Sequence, residues 1–305
     1  MFIVSAYIKF LLRSTNQHGV HSPFVYNLIT KCFYDRKKYP VYDVLKKYRK
    51  SLLKDKRKIQ VQDFGAGSRV FKSNVREVSK MAKTVGISAK RARLLNRLVR
   101  YLEIDQALEL GTSLGIGTAA MAAGNPVKIT TIEGCPETAA IAKEKFQEFG
   151  FDNIQLKIGR FEEVLGESGQ WSEGGNSKFQ IPNSDSLKKE SRRQATDTHQ
   201  PTTDNPQPTT GNPQPVTRNL QTYDLIYFDG NHQKKATLEY FEKLLPTAHN
   251  DSVFIFDDIH WSKEMEEAWE EIKAHPAVRV TIDTFSWGFV FFRREQEKEH
   301  FTIRV

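Results

Sequence analysis

The stretch that decides the fold is Ala107-Leu-Glu-Leu-Gly-Thr-Ser-Leu-Gly-Ile-Gly-Thr-Ala-Ala-Met121. It predicts a buried strand, a glycine turn and a helix. Its three glycines have no side chain, so a ligand can approach the backbone closely there. A second predicted strand, Lys128–Ile132, ends at Glu133, 22 residues after Gly111. A glycine turn followed by an acid about 20 residues later is typical of a nucleoside-binding βαβ unit, in which the acid accepts hydrogen bonds from ribose hydroxyls.

Strands and helices continue to alternate beyond this unit. Predicted strands at about 128–132, 154–158, 223–228 and 252–256 are separated by predicted helices at about 115–123, 136–148, 161–166 and 234–245. A helix at about 262–274 and two strands at about 278–284 and 288–293 follow, and we expect these two strands to form an antiparallel pair at one edge. The pattern predicts an α/β fold, a doubly wound parallel sheet with helices on both faces.

Composition divides the chain into three parts. Residues 1–87 predict a basic, mainly helical N-terminal extension, and 88–167 with 222–305 are expected to form the α/β domain. Residues 168–221 are a polar insertion rich in Pro, Thr, Asn and Gln, which we expect to be disordered because it holds too little apolar surface to offset its ordering entropy. Residues 1–100 contain 24 Lys and Arg but only 5 Asp and Glu. Such a balance suits nucleic acid or an anionic surface, but a solvated helical surface is favoured because no aromatic-rich RNA-binding signature accompanies the charge.

Acidic residues follow two of the predicted strands. Asp229 comes after the strand at 223–228, and Asp257 with Asp258 comes after the strand at 252–256. Because parallel strands end at one edge of the sheet, we expect these carboxylates to converge near Gly111 and to repel one another unless a cation or proton intervenes. Their oxygens suit Mg²⁺, whereas the alternative is that Asp257 and Asp258 cap the next helix.

The order of the glycines, with Glu109 two residues before the first, resembles the first motif of class I S-adenosylmethionine (SAM) methyltransferases, specifically the catechol O-methyltransferase-like branch. That resemblance implies a Rossmann-like methyltransferase sheet, a ribose-binding acid at Glu133 and an adenine-side loop at Ile158–Glu162. It also implies metal ligands at Asp229 and at the pair Asp257–Asp258. The residues it assigns to SAM are Glu109, Gly111, Thr112, Ser113, Gly115, Gly117, Glu133, Gly159, Phe161 and Asp229.

Two positions depart from the family's pattern. Asp258 stands where the family has an amide, which either strengthens metal binding or indicates that the site holds no metal. His232 stands where the metal-dependent enzymes have a lysine base, and a neutral histidine near pH 7 suits the same role. The alternative is that His232 caps the following helix or bonds a carboxylate. His260 is a second candidate base, with less support.

The resemblance predicts O-methylation of a small hydroxylated molecule, with Asp229 and His232 as catalytic residues and Mg²⁺ as an optional aid. Trp261, Trp287 and Phe285 are candidate walls of the acceptor pocket. The alternatives are an RNA methyltransferase that uses the basic N-terminal region and a module that binds SAM without turnover. An NAD-dependent oxidoreductase is disfavoured because its glycine order differs.

The remaining expectations concern location and assembly. The two cysteines give no disulfide framework and no apolar run reaches membrane-spanning length, so we expect a cytoplasmic protein. A homodimer is left open. A second glycine-rich run, Phe64–Ser68, is not followed by a strand that ends in an acid, so we expect it to form a lip near the site.

Overall fold

The computed structural model describes residues 2–64, 73–84, 86–166 and 221–305. The predicted insertion at 168–221, except its last residue, lies outside these ranges, and so does Gly65–Ser68 of the second glycine-rich run. The α-helices of the described chain are α1 (Phe2–Arg13), α2 (Pro23–Leu28), α3 (Val41–Lys54), α4 (Val78–Thr84), α5 (Ala89–Tyr101), α6 (Ile116–Ala122), α7 (Pro136–Glu148), α8 (Phe161–Leu165), α9 (Lys234–Leu244) and α10 (Lys263–Ala274). Each helix that the sequence predicted beyond residue 88 is present, within one or two residues at its ends.

The strands of the described chain form two sheets. A short antiparallel pair joins β1 (Lys58–Gln60) to β2 (Val75–Glu77). The larger sheet holds β3 (Gln106–Leu110), β4 (Lys128–Glu133), β5 (Ile154–Ile158), β6 (Tyr223–Phe228), β7 (Ala248–Asp257), β8 (Val280–Asp283), β9 (Trp287–Phe291) and β10 (Glu299–Thr302).

The strand order of the larger sheet is β10-β8-β9-β7-β6-β3-β4-β5. Strands β3 to β7 are parallel, whereas β9 runs antiparallel between β7 and β8. The chain order reverses between β3 and β6, because β4 and β5 extend from one side of β3 and β6 pairs with the other. A crevice at such a switch point is where open α/β sheets bind ligands.

The C-terminal edge differs from the prediction in one respect. The antiparallel pair at about 278–284 and 288–293 is confirmed as β8 and β9, but β10 lies outside it and pairs in parallel with β8. This strand was not predicted because its four residues, Glu-His-Phe-Thr, are mostly polar and partly exposed. Edge strands need no apolar face on both sides, so hydrophobic periodicity does not reveal them.

The parallel strands are buried on both faces. In β6 and β7 alternate side chains enter two different clusters: Leu225 and Val253 face one, whereas Ile226 and Phe254 face the other. This arrangement follows from the period of two along a strand and explains why these segments read as continuous apolar runs. Helices therefore cover both faces, as predicted.

The N-terminal region packs on one of these faces. Phe33 contacts Phe289 of β9 with ring centroids 5.0 Å apart, and the Tyr48 hydroxyl donates to the Leu114 carbonyl at 3.0 Å. Ser22 caps α2 and Ser88 caps α5, each accepting a hydrogen bond from a backbone N–H three residues later. These contacts bring the region to the glycine turn after β3, and its boundary at residue 87 stays a prediction.

Within the described ranges, the helices are all too short or too polar to cross a bilayer.

Candidate active site

One large cavity, with a volume of about 780 Å³, lies at the carboxyl edge of the parallel strands. Each of the five parallel strands contributes either its last residue or the first residue after it. These residues are Gly111, Glu133, Gly159, Asp229 and Asp257. Its volume is within the range of small-molecule sites in proteins. The sheet topology thus gathers residues that lie up to 146 positions apart in the sequence.

Gly111 is required where the two halves of the sheet meet. Its φ of +105° lies in a region that side chains rarely adopt, and a Cβ there would lie 2.4 Å from the Asp229 carbonyl oxygen. The Asp229 N–H in turn donates to the Leu110 carbonyl at 2.9 Å. Glycine at this position therefore lets the loop after β3 and the loop after β6 approach each other at the floor of the cavity.

The other two glycines of the motif play different parts. Gly117 lines the cavity, and a Cβ there would lie 2.7 Å from Glu109 Oε1. Gly115 does not line the cavity: at φ +72° it starts α6, and a Cβ there would collide with Phe146 and the Tyr48 hydroxyl. The prediction that Gly115 contacts the cofactor is therefore replaced by a role in helix packing.

Glu133 is held at the cavity wall by the backbone. Its Oε2 accepts from the Ser113 N–H at 2.8 Å and its Oε1 accepts from the Cys135 N–H at 3.0 Å. Burial raises the pKa of Glu133, although these backbone hydrogen bonds oppose the shift. Each carboxylate oxygen keeps a further lone pair, so the side chain retains acceptor capacity for a pair of vicinal hydroxyls.

Glu109 lies elsewhere than predicted. It is fully buried beneath the glycine turn and does not line the cavity. Its Oε2 accepts hydrogen bonds from the hydroxyls of Thr118 and Thr131, while Oε1 has no hydrogen-bond partner among the described residues. Burial raises the pKa of Glu109 to about 7. The expectation of a position near the methionine ammonium is corrected, because this face of β3 points into the protein toward α6.

The predicted adenine-side loop does line the cavity. Gly159 has φ +153° and donates its N–H to the Glu133 carbonyl at 3.0 Å. Phe161 presents a half-buried ring beside Tyr240, with centroids 5.4 Å apart. Across the opening, the Arg160 guanidinium lies 4.9 Å from the Phe64 ring, which also lines the cavity. An aromatic wall beside the ribose-type acid suits a flat heterocycle.

The polar end of the cavity collects two carboxylates and an imidazole. One ligand atom each from Asp229, His232 and Asp257 lies within 4.8 Å of the others. Arg91, from α5, forms an ion pair with Asp257, its Nη1 lying 2.7 Å from Oδ1. Burial, and then the neighbouring Asp257, raise the pKa of Asp229 well above its usual range. The cluster thus favours binding a proton or a cation.

Asp258 does not join this group. It lines the same cavity, but its backbone adopts a left-handed φ of 54° and its N–H donates to the Ser286 carbonyl at 2.8 Å. The left-handed backbone at Asp258 ends the alternation of the strand, and Asp258 is not among the side chains whose ligand atoms converge. The structure thus brings together Asp229, His232 and Asp257, and the role of Asp258 as a ligand stays a prediction.

The residues of this group fit a divalent cation. Two carboxylates and an imidazole converge, and Asp257 adds to burial in raising the pKa of Asp229, so a nearby cation would stabilise the charged form. Mg²⁺ prefers oxygen ligands, whereas an imidazole also suits metals such as Mn²⁺, Fe²⁺ or Zn²⁺. The Arg91 guanidinium already neutralises part of the charge on Asp257.

His260 and two of the three predicted aromatic walls, Phe285 and Trp287, do not line the cavity. His260 uses both ring nitrogens, Nε2 with Asp283 at 2.8 Å and Nδ1 with Glu266 at 2.9 Å. Burial lowers the pKa of His260, but these two carboxylates outweigh burial and raise it. Trp261 lines the cavity as predicted, whereas Trp287 is buried in the core.

Sequence analysis missed Arg91 and Arg160. Arg160 lies within the predicted adenine-side loop after β5 but was not singled out, and Arg91 reaches Asp257 from 166 residues earlier in the chain. Only the packing of α5 against the sheet brings it there. The excess of basic residues in the N-terminal third was a signal, but it did not single out one arginine.

The family model described as a methyltransferase domain matches residues 108–259. No curated protein matches the chain. The five strand ends that line the cavity all lie within the matched segment.

Among solved structures, an SAH-bound methyltransferase from Podospora anserina is similar over 90% of this chain and 97% of its own, at 12% identity and a TM-score of 0.52. An O-methyltransferase from Bacillus cereus in complex with SAH covers 84% of this chain and 91% of its own, at 15% identity and a TM-score of 0.47. An O-methyltransferase from Streptomyces achromogenes in complex with SAM covers 84% and 91%, at 13% identity and a TM-score of 0.49. At these identities the likeness concerns the fold.

Proposed function

Because the chain belongs to the class I SAM-dependent methyltransferases, we propose that it transfers the methyl group of SAM to a hydroxyl oxygen of a small acceptor. The observation that carries this proposal is the single cavity that joins Glu133 and the glycine turn to the Asp229–His232 end. A donor site and a proton acceptor in one enclosed space are what methyl transfer to a hydroxyl requires.

At one end of the cavity, the chain's own residues would hold the donor. Glu133 offers acceptor oxygens for ribose hydroxyls, while Gly159 and Phe161 border the space for the adenine. Gly111, Thr112 and Ser113 form the turn between these groups and the polar end. SAM supplies an activated methyl group, so the protein must position the acceptor in line with it rather than form a covalent intermediate.

At the other end, His232 would accept the acceptor's proton. Its ring lies in the cavity beside Asp229 and Asp257. As the oxygen–methyl bond forms and the sulfur–methyl bond breaks, the hydroxyl proton would pass to an imidazole nitrogen, leaving S-adenosylhomocysteine and a methyl ether. Asp229 would orient the imidazole or the hydroxyl, and Trp261 would wall the acceptor.

A metal-assisted form is the second candidate, favoured by the convergence of Asp229, His232 and Asp257. A divalent cation held by these three side chains would lower the pKa of the acceptor hydroxyl. His232 would then serve as a ligand, so another group or water would take the proton. Without a metal in the mechanism, turnover should persist when a chelator is added, whereas the metal-assisted form should lose turnover.

Titration calorimetry tests the donor site. Wild type should bind SAM and S-adenosylhomocysteine, whereas Glu133→Ala should bind each at least about tenfold more weakly, since it loses hydrogen bonds to a charged acceptor. Glu148→Ala, an exposed change on α7, is the matched control and should bind like wild type. Absence of SAM binding by wild type would remove the proposal.

An acceptor screen tests the reaction. Small phenols, catechols and aliphatic alcohols are incubated with SAM, with Mg²⁺, with Mn²⁺ or with a chelator, and both S-adenosylhomocysteine and the methylated product are measured. Turnover that persists in chelator supports His232 as base, and turnover that requires metal supports the second candidate. Binding of SAM without turnover on any hydroxyl would favour the non-catalytic module. The RNA acceptor, the cytoplasmic location and the homodimer stay predictions from the sequence.

A further inference from the structure

Helix α1 presents an apolar surface to solvent. Val4, Ile8 and Leu12 are 65%, 53% and 82% exposed, and Leu11 lies beside them. The spacing of these residues, at i, i+4, i+7 and i+8, places them on one face of the helix. A contiguous exposed apolar face of this kind is typical of an interaction surface.

The opposite face fixes the helix to the protein. Ala6 and Phe10 are its buried residues, and the Phe285 ring lies 5.5 Å from Phe10 and 4.8 Å from Tyr7. Just after the helix, Thr15 donates its N–H to the Thr302 carbonyl at 2.9 Å, next to β10. The outward face is therefore held in place and is not the face with which α1 packs on its own fold.

Charge identifies the partner. Ser5, Lys9 and Arg13, at i, i+4 and i+8, form a polar strip beside the apolar face, and residues 2–34 contain no Asp or Glu. A helix with an apolar face and a flanking basic strip is suited to lie in the headgroup region of an anionic bilayer. An antiparallel contact between two copies would instead bring the Lys9 and Arg13 strips of both chains to the same side, and like charges would oppose it.

We propose that α1 docks this protein on anionic lipid bilayers, with Val4, Ile8, Leu11 and Leu12 entering the boundary between headgroups and acyl chains while Lys9 and Arg13 contact the headgroups. The helix is about 18 Å long and would lie in the plane of the surface. This interaction is independent of the proposed methyl transfer, because none of these side chains lines the large cavity.

Vesicle co-sedimentation of the full chain tests the proposal. Wild type should bind phosphatidylcholine vesicles that contain about a third phosphatidylserine, and should bind pure phosphatidylcholine much more weakly. Ile8→Ser with Leu12→Ser should weaken binding roughly a hundredfold, since two side chains no longer gain from burial. Lys9→Gln with Arg13→Gln should weaken binding to the anionic vesicles roughly 25-fold, about fivefold for each charge.

The matched control is Leu53→Ser with Val75→Ser, which removes exposed apolar side chains outside α1. It should bind vesicles like wild type, and all variants should keep the thermal unfolding midpoint and SAM affinity of wild type. Failure of wild type to bind anionic vesicles, or an equal loss in the control, would overturn the proposal. Light scattering gives the other decisive outcome: a dimer that Ile8→Ser with Leu12→Ser converts to monomers, without vesicle binding, would assign the face to self-association.

Discussion

The two ends of the cavity are built by different means. At the donor end, defined by Gly111, Ser113, Glu133, Gly159 and Phe161, backbone groups fix the one acidic side chain: both oxygens of Glu133 accept from N–H groups. At the polar end, defined by Arg91, Asp229, His232 and Asp257, side chains face side chains and an ion pair joins Arg91 to Asp257.

This difference in construction indicates that the donor end serves cofactor binding and the polar end serves proton transfer. A backbone-held carboxylate keeps one position whatever the protonation of its surroundings, which suits recognition of a constant donor. A cluster in which burial and a neighbouring carboxylate raise the pKa of Asp229 responds to an added proton or cation, which suits a group that exchanges protons. Substitutions at each end should therefore change different quantities.

The largest effect should come from Gly111→Ala, because Gly111 joins the two ends. Its new Cβ would meet the Asp229 carbonyl oxygen at 2.4 Å, and the residue would be forced to keep φ near +105°. Displacing the turn should reduce SAM affinity by more than about a hundredfold and lower the unfolding free energy by about 2–4 kcal/mol. Calorimetry and thermal denaturation measure both.

Gly150→Ala is the matched control. Gly150 also has a positive φ, +66°, but no atom lies within 4 Å of the position of its Cβ. It should lose only about 1 kcal/mol of stability and no SAM affinity. If Gly111→Ala behaved like Gly150→Ala, the close approach of the two loops would not matter for the site.

His232→Gln should act on the polar end alone. Loss of the base should lower kcat for the best acceptor about a hundredfold or more and leave SAM affinity unchanged. His260→Gln serves as the comparison, because both of its nitrogens are bonded to Asp283 and Glu266 and it should change stability rather than kcat. Equal losses of kcat in the two variants would contradict the assignment of His232.

The same contrast explains what the sequence could reveal. The donor end was predictable because it depends on glycines and an acid at fixed spacing around one βαβ unit, and Gly111, Glu133, Gly159 and Phe161 all line the cavity. The polar end depends on side-chain directions and on α5. Neither the separation of Asp258 from the group of Asp229, His232 and Asp257 nor the arrival of Arg91 follows from strand order. The predicted ligand set therefore differs from the observed group by one residue, and one partner was missed.

Glu109 shows the same limit within the motif itself. Its spacing placed it correctly at the end of β3, but spacing does not tell on which face of the strand a side chain points. Burial raises its pKa from the usual 4.5 to about 7, so the folded protein binds this proton more tightly than the unfolded chain does. Stability from this group is therefore fully present below about pH 4.5 and falls as the pH rises to about 7.

Glu109→Gln should remove that dependence. The difference in unfolding free energy between wild type and variant should shift by about 2–3 kcal/mol in favour of the variant between pH 5 and pH 8. Denaturant titrations across this pH range measure the unfolding free energy of both proteins. The contributions of the other titrating groups cancel when the two free energies are subtracted. A constant difference would mean that Glu109 ionises like an exposed carboxyl and is not held under the glycine turn.

The smallest effect, and the sharpest test of the polar end, is expected from Arg91→Gln. Arg91 Nη1 lies 2.7 Å from Asp257 Oδ1, so its removal frees a carboxylate oxygen and takes away a positive charge. If Asp229, His232 and Asp257 hold a divalent cation, Mn²⁺ affinity should rise about tenfold, since loss of one competing charge is worth about 1–2 kcal/mol. Arg93→Gln, two residues along α5 with its guanidinium over the Tyr42 ring, should leave Mn²⁺ affinity unchanged.

Calorimetric titration with Mn²⁺ compares the three proteins. If none of them binds Mn²⁺, the negative charge of the polar end is balanced by Arg91 and a bound proton, and His232 is free to act as the base.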